Sequence, residues 1–101
     1  MKYNKLVRDK IPEIIRQRGE TAVTHVADET EYVEKLREKL REEVEEFLTS
    51  GKPEELADIL EVVYALGVTV GVTRGALEAL REAKATERGG FDGRIILEET
   101  T

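Results

Sequence analysis

Residues 40–61 read LREEVEEFLTSGKPEELADILE, which is the end of one helix, a turn, and the start of a second. Gly51 suits the position just past a helix end, and Pro53 suits the first turn of the helix that follows. So short a connection makes the two helices antiparallel neighbours. Glu43 and Glu46 stand three apart on the first helix, and Glu55 and Asp58 three apart on the second. Residues at that spacing share one helix face. Four carboxylates can therefore meet across a single helix–helix seam near the turn.

The first helix breaks local rules to put them there. At ~100° per residue, Val33, Leu36, Leu40, Val44 and Phe47 form an apolar stripe, and Glu43 falls roughly 60° from its centre. In a heptad reading Glu43 takes a core slot, following Val33, Leu36 and Leu40. These acids also lie in the last turns, where the helix dipole disfavours negative charge. Like charges one turn apart repel by about 0.2–0.5 kcal/mol per pair. Lys39 can offset Glu43 and Arg41 can offset Glu45, but Glu46 has no basic residue one turn on. A divalent cation would reverse the sign of this cost. With oxygen ligands and no cysteine, Mg²⁺ fits best and Mn²⁺ is its substitute. Glu42, Glu45 and Glu54 read as ordinary solvated acids. Glu55 alone would be ordinary too, since an acid in a first turn is favourable.

Outward from this stretch the chain reads as mainly helical. A first helix is predicted over residues 9–18, with Pro12 tolerated in its first turn and Gly19 as its stop. Residues 21–26, TAVTHV, hold four β-branched residues and form a strand candidate. Asp28 and Glu31 make a capping-box-like start to the long helix that ends near Thr49. The third helix, residues 53–70, carries Leu56, Ile59, Leu60, Val63, Leu66 and Val70 on one side. Val62, Ala65 and Val68 cover the other side, in the row that also holds Asp58. A helix apolar all round is buried all round, and in so small a chain a second protomer is the expected cover. A fourth helix spans residues 73–87 and stops at Gly89-Gly90. Residues 94–98, RIILE, form a second strand candidate. The fold expected is thus an antiparallel helical bundle completed by dimerisation, with a small two-stranded β element from residues 21–26 and 94–98 as a candidate addition.

Composition bounds the function. The 101 residues make one domain that stands to gain from a partner. No cysteine is present, so thiolate chemistry is excluded, and His25 is the single histidine, which excludes a His-rich zinc site. A net charge of −6 and a pI near 4.9 argue against duplex nucleic acid as a partner. The uncharged run 62–73 is too short for a membrane span, which takes ~20 residues. With a charged N-terminus unlike a signal peptide, a soluble, cytoplasmic protein is expected. Basic residues gather at the chain ends, in Lys5, Arg8 and Lys10 and again in Lys84, Arg88 and Arg94. Lysine and arginine suit phosphate oxygens, although most such residues are simply solvated. The loop GGFDG (89–93) offers backbone N–H groups or is only a helix stop and turn. Tyr3, Tyr32, Tyr64 and Phe91 are candidate stacking groups for a base.

The pattern Glu43-x-x-Glu46, a turn, then Glu55-x-x-Asp58 resembles the MazG-like all-α nucleotide pyrophosphohydrolase superfamily, which includes phosphoribosyl-ATP pyrophosphohydrolase and the dimeric dUTPases. REEVEEF and EELADILEVVYAL look like its two motif helices. YNKLVRDKIPEII and ATERGGFDGRIILEE look like a narrower house-cleaning branch, so the resemblance covers nearly the whole chain. It implies a helical bundle built by dimerising, as a homodimer or a dimer of dimers. It also implies Mg²⁺-dependent cleavage of a nucleoside triphosphate to monophosphate and pyrophosphate, with Glu43, Glu46, Glu55 and Asp58 as metal ligands. Two departures stand out. The spacing between the motif halves is short, and Arg41 stands where phosphoribosyl-ATP members often carry glycine. Both count against phosphoribosyl-ATP as the substrate.

The residues agree with that chemistry. An acidic site holds a polyanionic triphosphate only through cations. Glu46 is either a ligand or the general base, and Lys5, Arg8, Lys84 and Arg88 are the candidates for the phosphate tail. A competing reading is a non-catalytic helical dimer that binds a protein partner through the third helix. A scaffold, however, has no use for Glu43 in a core stripe. Phosphoribosyl-ATP hydrolysis on the same fold is the third reading, separable by substrate profiling.

Overall fold

The computed structural model describes residues 2–101, and among them are four helices and no strand. Helix α1 spans Ile11–Gln17, α2 Glu29–Ser50, α3 Pro53–Thr69 and α4 Arg74–Arg88. The chain is mainly α, as its periodicity predicts.

Local chemistry sets the boundaries. Asp28 is the N-cap of α2, its carboxylate accepting from the Glu31 N–H at 2.9 Å. Only half of a capping box forms, because the Glu31 carboxylate turns instead to His25, 2.9 Å away. At the other end Gly51 takes the left-handed conformation (φ 67°) and its N–H donates to the Phe47 carbonyl. A residue with a Cβ is disfavoured there, so the glycine makes the tight stop that turns the chain back into α3. Pro53 opens α3, where its missing N–H costs nothing. Thr73 caps α4 through its hydroxyl, which accepts from the Ala76 N–H at 3.1 Å.

The body of the molecule is the α2–α3 hairpin, and α4 packs on α3 alone. Between α3 and α4 the axis turns through 104°. At this corner the Val72 N–H donates to the Gly67 carbonyl at 2.8 Å. A Cβ at Gly67 would lie 3.0 Å from the Val72 carbonyl oxygen, a tight contact that favours glycine here.

Along α2 the buried face follows the heptad reading. Leu36 and Glu43 are buried, Leu40 and Phe47 are half-buried, and Val44 is exposed. Leu36, Val62 and Gly67 complete the buried set of the hairpin. Residues 21–26 and 94–98, the strand candidates, carry no regular secondary structure and do not pair. Val23, Val26, Ile95 and Ile96 are all exposed, and without a sheet face to cover, β-propensity has nothing to act on.

The molecule is open. Its radius of gyration is 17.9 Å, against about 13 Å for a compact domain of ~100 residues. Its accessible surface of 9118 Å² exceeds the ~5,800 Å² that scaling gives a compact monomer of this mass. Leu56, Leu60, Val68, Val70 and Leu80 all face outward. No helix among the described residues is by itself long and apolar enough to cross a membrane.

Candidate functional site

The seam between α2 and α3 brings three of the four motif carboxylates together. Glu43, Glu55 and Asp58 each offer one oxygen, and these oxygens lie within 4.8 Å of one another. Helix spacing explains the set. Glu43 occupies the α2 heptad position that faces α3, while Glu55 and Asp58 share the facing side of the first turns of α3. Glu46, three residues beyond Glu43, is exposed and stands outside the trio, though close enough for its charge to act on Glu43.

Glu43 is the unusual member. It is 6% exposed, the single buried charged residue described. Its Oε1 lies 3.4 Å from Lys39 Nζ, the pairing expected one turn back along the helix. Its Oε2 is buried with no hydrogen-bond partner. Burial pushes the carboxyl above the ordinary carboxylate range, the Lys39 contact opposes this, and the nearby Glu46 and Asp58 charges add to it. A buried acceptor without a protein partner costs about 1–3 kcal/mol, so this oxygen is destabilising unless something pairs with it.

Basic side chains answer part of the remaining acidic charge, at Asp58 and Glu42. Arg8 Nη2 donates to Asp58 Oδ1 at 2.8 Å. Lys5 Nζ lies 3.3 Å from Glu42 Oε1, and Lys39 reaches Glu42 as well as Glu43, at 3.7 Å and 3.4 Å. Cations and carboxylates thus alternate along the seam as Lys5–Glu42–Lys39–Glu43, with Arg8–Asp58 beside them. The candidate phosphate residues Lys5 and Arg8 stand at the site. Lys84 and Arg88 do not, because α4 leaves α3 at the end opposite Glu55 and Asp58.

Glu42 reads from sequence as an ordinary solvated acid, yet it joins this network. Its partner Lys5 is 37 residues away, and the Arg8–Asp58 pair spans 50. No helix spacing reports such contacts. The basic cluster of KLVRDK was the available signal, and it fixes charge without a partner.

The donor set suits a hard divalent cation: three carboxylates and no nitrogen or sulfur. Oxygens on opposite sides of Mg²⁺ are about 4.2 Å apart at its usual bond length of ~2.1 Å. Oxygens on neighbouring corners are about 3.0 Å apart, so three oxygens within 4.8 Å of one another need to close by up to about 1.8 Å, within reach of side-chain rotation. Comparison with family models, curated proteins and solved structures finds no match for this chain.

Proposed function

We propose that this chain is a Mg²⁺-dependent nucleotide pyrophosphohydrolase that converts a noncanonical nucleoside triphosphate to its monophosphate and pyrophosphate in a house-cleaning role. The observation that carries the reading is Glu43: a buried carboxylate with an unpaired oxygen, set beside two further carboxylates on the facing helix. The resemblance of the four-acid pattern to MazG-like enzymes supplies the reaction class.

Glu43, Glu55 and Asp58 would hold the cation, with Glu46 completing the set or acting alone as base. When bound, Mg²⁺ (or Mn²⁺) neutralises charge on the phosphate oxygens and acidifies water. Glu46 is the proposed general base: exposed beside the seam, it can accept the proton of a water that attacks the α-phosphorus as the α–β anhydride breaks. Lys5 and Arg8, already at the seam, would pair with the phosphate tail.

Dimerisation belongs to the same proposal. A standard protein interface hides about 1,600 Å² in total, and the open hairpin carries surface well beyond a compact monomer. A second protomer over Leu56, Leu60 and Val68 would also offer a route for Lys84 and Arg88 to reach a site, from the neighbouring chain. The exposed apolar face equally favours the protein-interaction reading. The trio separates the two, since an interaction surface gains nothing from an unpaired buried carboxylate.

The test is an assay of the purified protein with canonical and damaged triphosphates, with and without Mg²⁺, measuring pyrophosphate against orthophosphate. Mg²⁺-dependent pyrophosphate release, lost in Asp58→Asn, is the expected result. No release from any substrate would leave the interaction reading in its place.

A further inference from the structure

Two of the three converging carboxylates face a basic side chain: Glu43 lies 3.4 Å from Lys39 on its own helix, and Asp58 meets Arg8 from a distant part of the chain. Arg8 Nη2 sits 2.8 Å from Asp58 Oδ1, and both side chains are partly open to water, at 56% and 39% exposure. The residue arrives on an arm, residues 2–10, without helix or strand. Among the described residues, the arm's side-chain hydrogen bonds to the α2–α3 hairpin are Lys5–Glu42 and Arg8–Asp58. An exposed ion pair is weak, while a divalent cation bound by several carboxylates is harder to displace. A cation that takes Asp58 Oδ1 competes with the guanidinium for that atom.

We propose that Arg8 is the built-in counter-ion of the seam: it gives up Asp58 when a divalent cation binds and turns its guanidinium to the phosphate chain of the substrate. This rests on the metal reading above and adds a specific exchange to it. The exchange explains why a basic arm is laid on an acidic site. Before loading, Arg8 moderates repulsion between Asp58 and the neighbouring carboxylates. After loading, the metal takes over that task, and the freed guanidinium, with its fork of donors matched to phosphate, stands next to the cation-bound anion. Arg8 is therefore a positioning residue whose two roles have opposite signs: it opposes metal alone and favours metal plus phosphate.

Calorimetry on the full chain reads both signs. Arg8→Gln should bind Mn²⁺ roughly two- to fivefold more tightly than the wild type, the range set by a weak exposed pair. It should bind inorganic pyrophosphate more weakly when Mn²⁺ is saturating. Nitrogen NMR of the arginine side chains reads the exchange itself. Saturating Mg²⁺ should move the Arg8 guanidinium signal to the position it has in Asp58→Asn, where its partner is gone. An Arg8 signal unmoved by Mg²⁺, or an Arg8→Gln variant weakened toward metal and pyrophosphate alike, overturns the exchange. If those results come with Mn²⁺ binding that Glu43→Gln abolishes, the metal site stands and only the role of Arg8 falls. Absence of Mn²⁺ binding to the wild type removes both.

Discussion

Glu43 is the one buried charged residue among those described. Its carboxyl is held above the ordinary carboxylate range, chiefly by burial. A carboxyl raised in the folded state contributes stability that is fully present below its unfolded pKa and is lost as pH rises through its folded value. In chelator, Glu43→Leu should therefore be more stable than the wild type at neutral pH by roughly 1–3 kcal/mol. The gap should narrow as pH falls through the raised folded value toward the unfolded carboxylate value of 4.5, and level off below it; paired denaturant melts at several pH values measure it. The same variant should lose pyrophosphate release. A stabilised variant with activity intact would make the buried charge irrelevant to function. Much of this residue was legible in advance, because the heptad that seats Leu36 and Leu40 also seats Glu43. Its unpaired oxygen was not, since that depends on how closely α3 approaches.

At the scale of elements, the caps were the most readable features. Asp28, Gly51 and Pro53 stand at helix ends as their backbone chemistry dictates, whereas Thr73, expected as the first residue of α4, is its N-cap. Asp28→Ala should cost about 1 kcal/mol of stability, measured by chemical denaturation. Gly51→Ala, forced into the left-handed region, should cost about 1–2 kcal/mol. Because the turn at Gly51 sets how α3 returns to α2, the second variant should also weaken Mn²⁺ binding, while the first, at the far end of α2, should not. The strand candidates misread for a physical reason. β-branched composition describes a residue's fit to a sheet, but strand formation needs partners from elsewhere in the chain. Here residues 21–26 and 94–98 have none in the described chain. Long-range ion pairs were hidden in the same way: Arg8 meets Asp58 only because the arm folds back over the hairpin.

The whole molecule leaves much apolar surface uncovered. A buried apolar set as small as Leu36 and Val62, with Leu60, Val68 and Val70 exposed, leaves little to offset chain entropy. Sedimentation equilibrium should give a mass of about twice the 11.4 kDa chain, and Val68→Glu should shift it toward the monomer with loss of thermal stability. Wild-type protein that is monomeric at the same concentration would remove the dimer. The central claim, that two helices build a divalent cation site from Glu43, Glu55 and Asp58, is tested most directly by anomalous diffraction from crystals saturated with Mn²⁺. An anomalous peak bounded by these three carboxylates, with Arg8 withdrawn from Asp58, is the expected result. A seam without such a peak, with Arg8 still on Asp58 and Glu43 still paired only to Lys39, would contradict it.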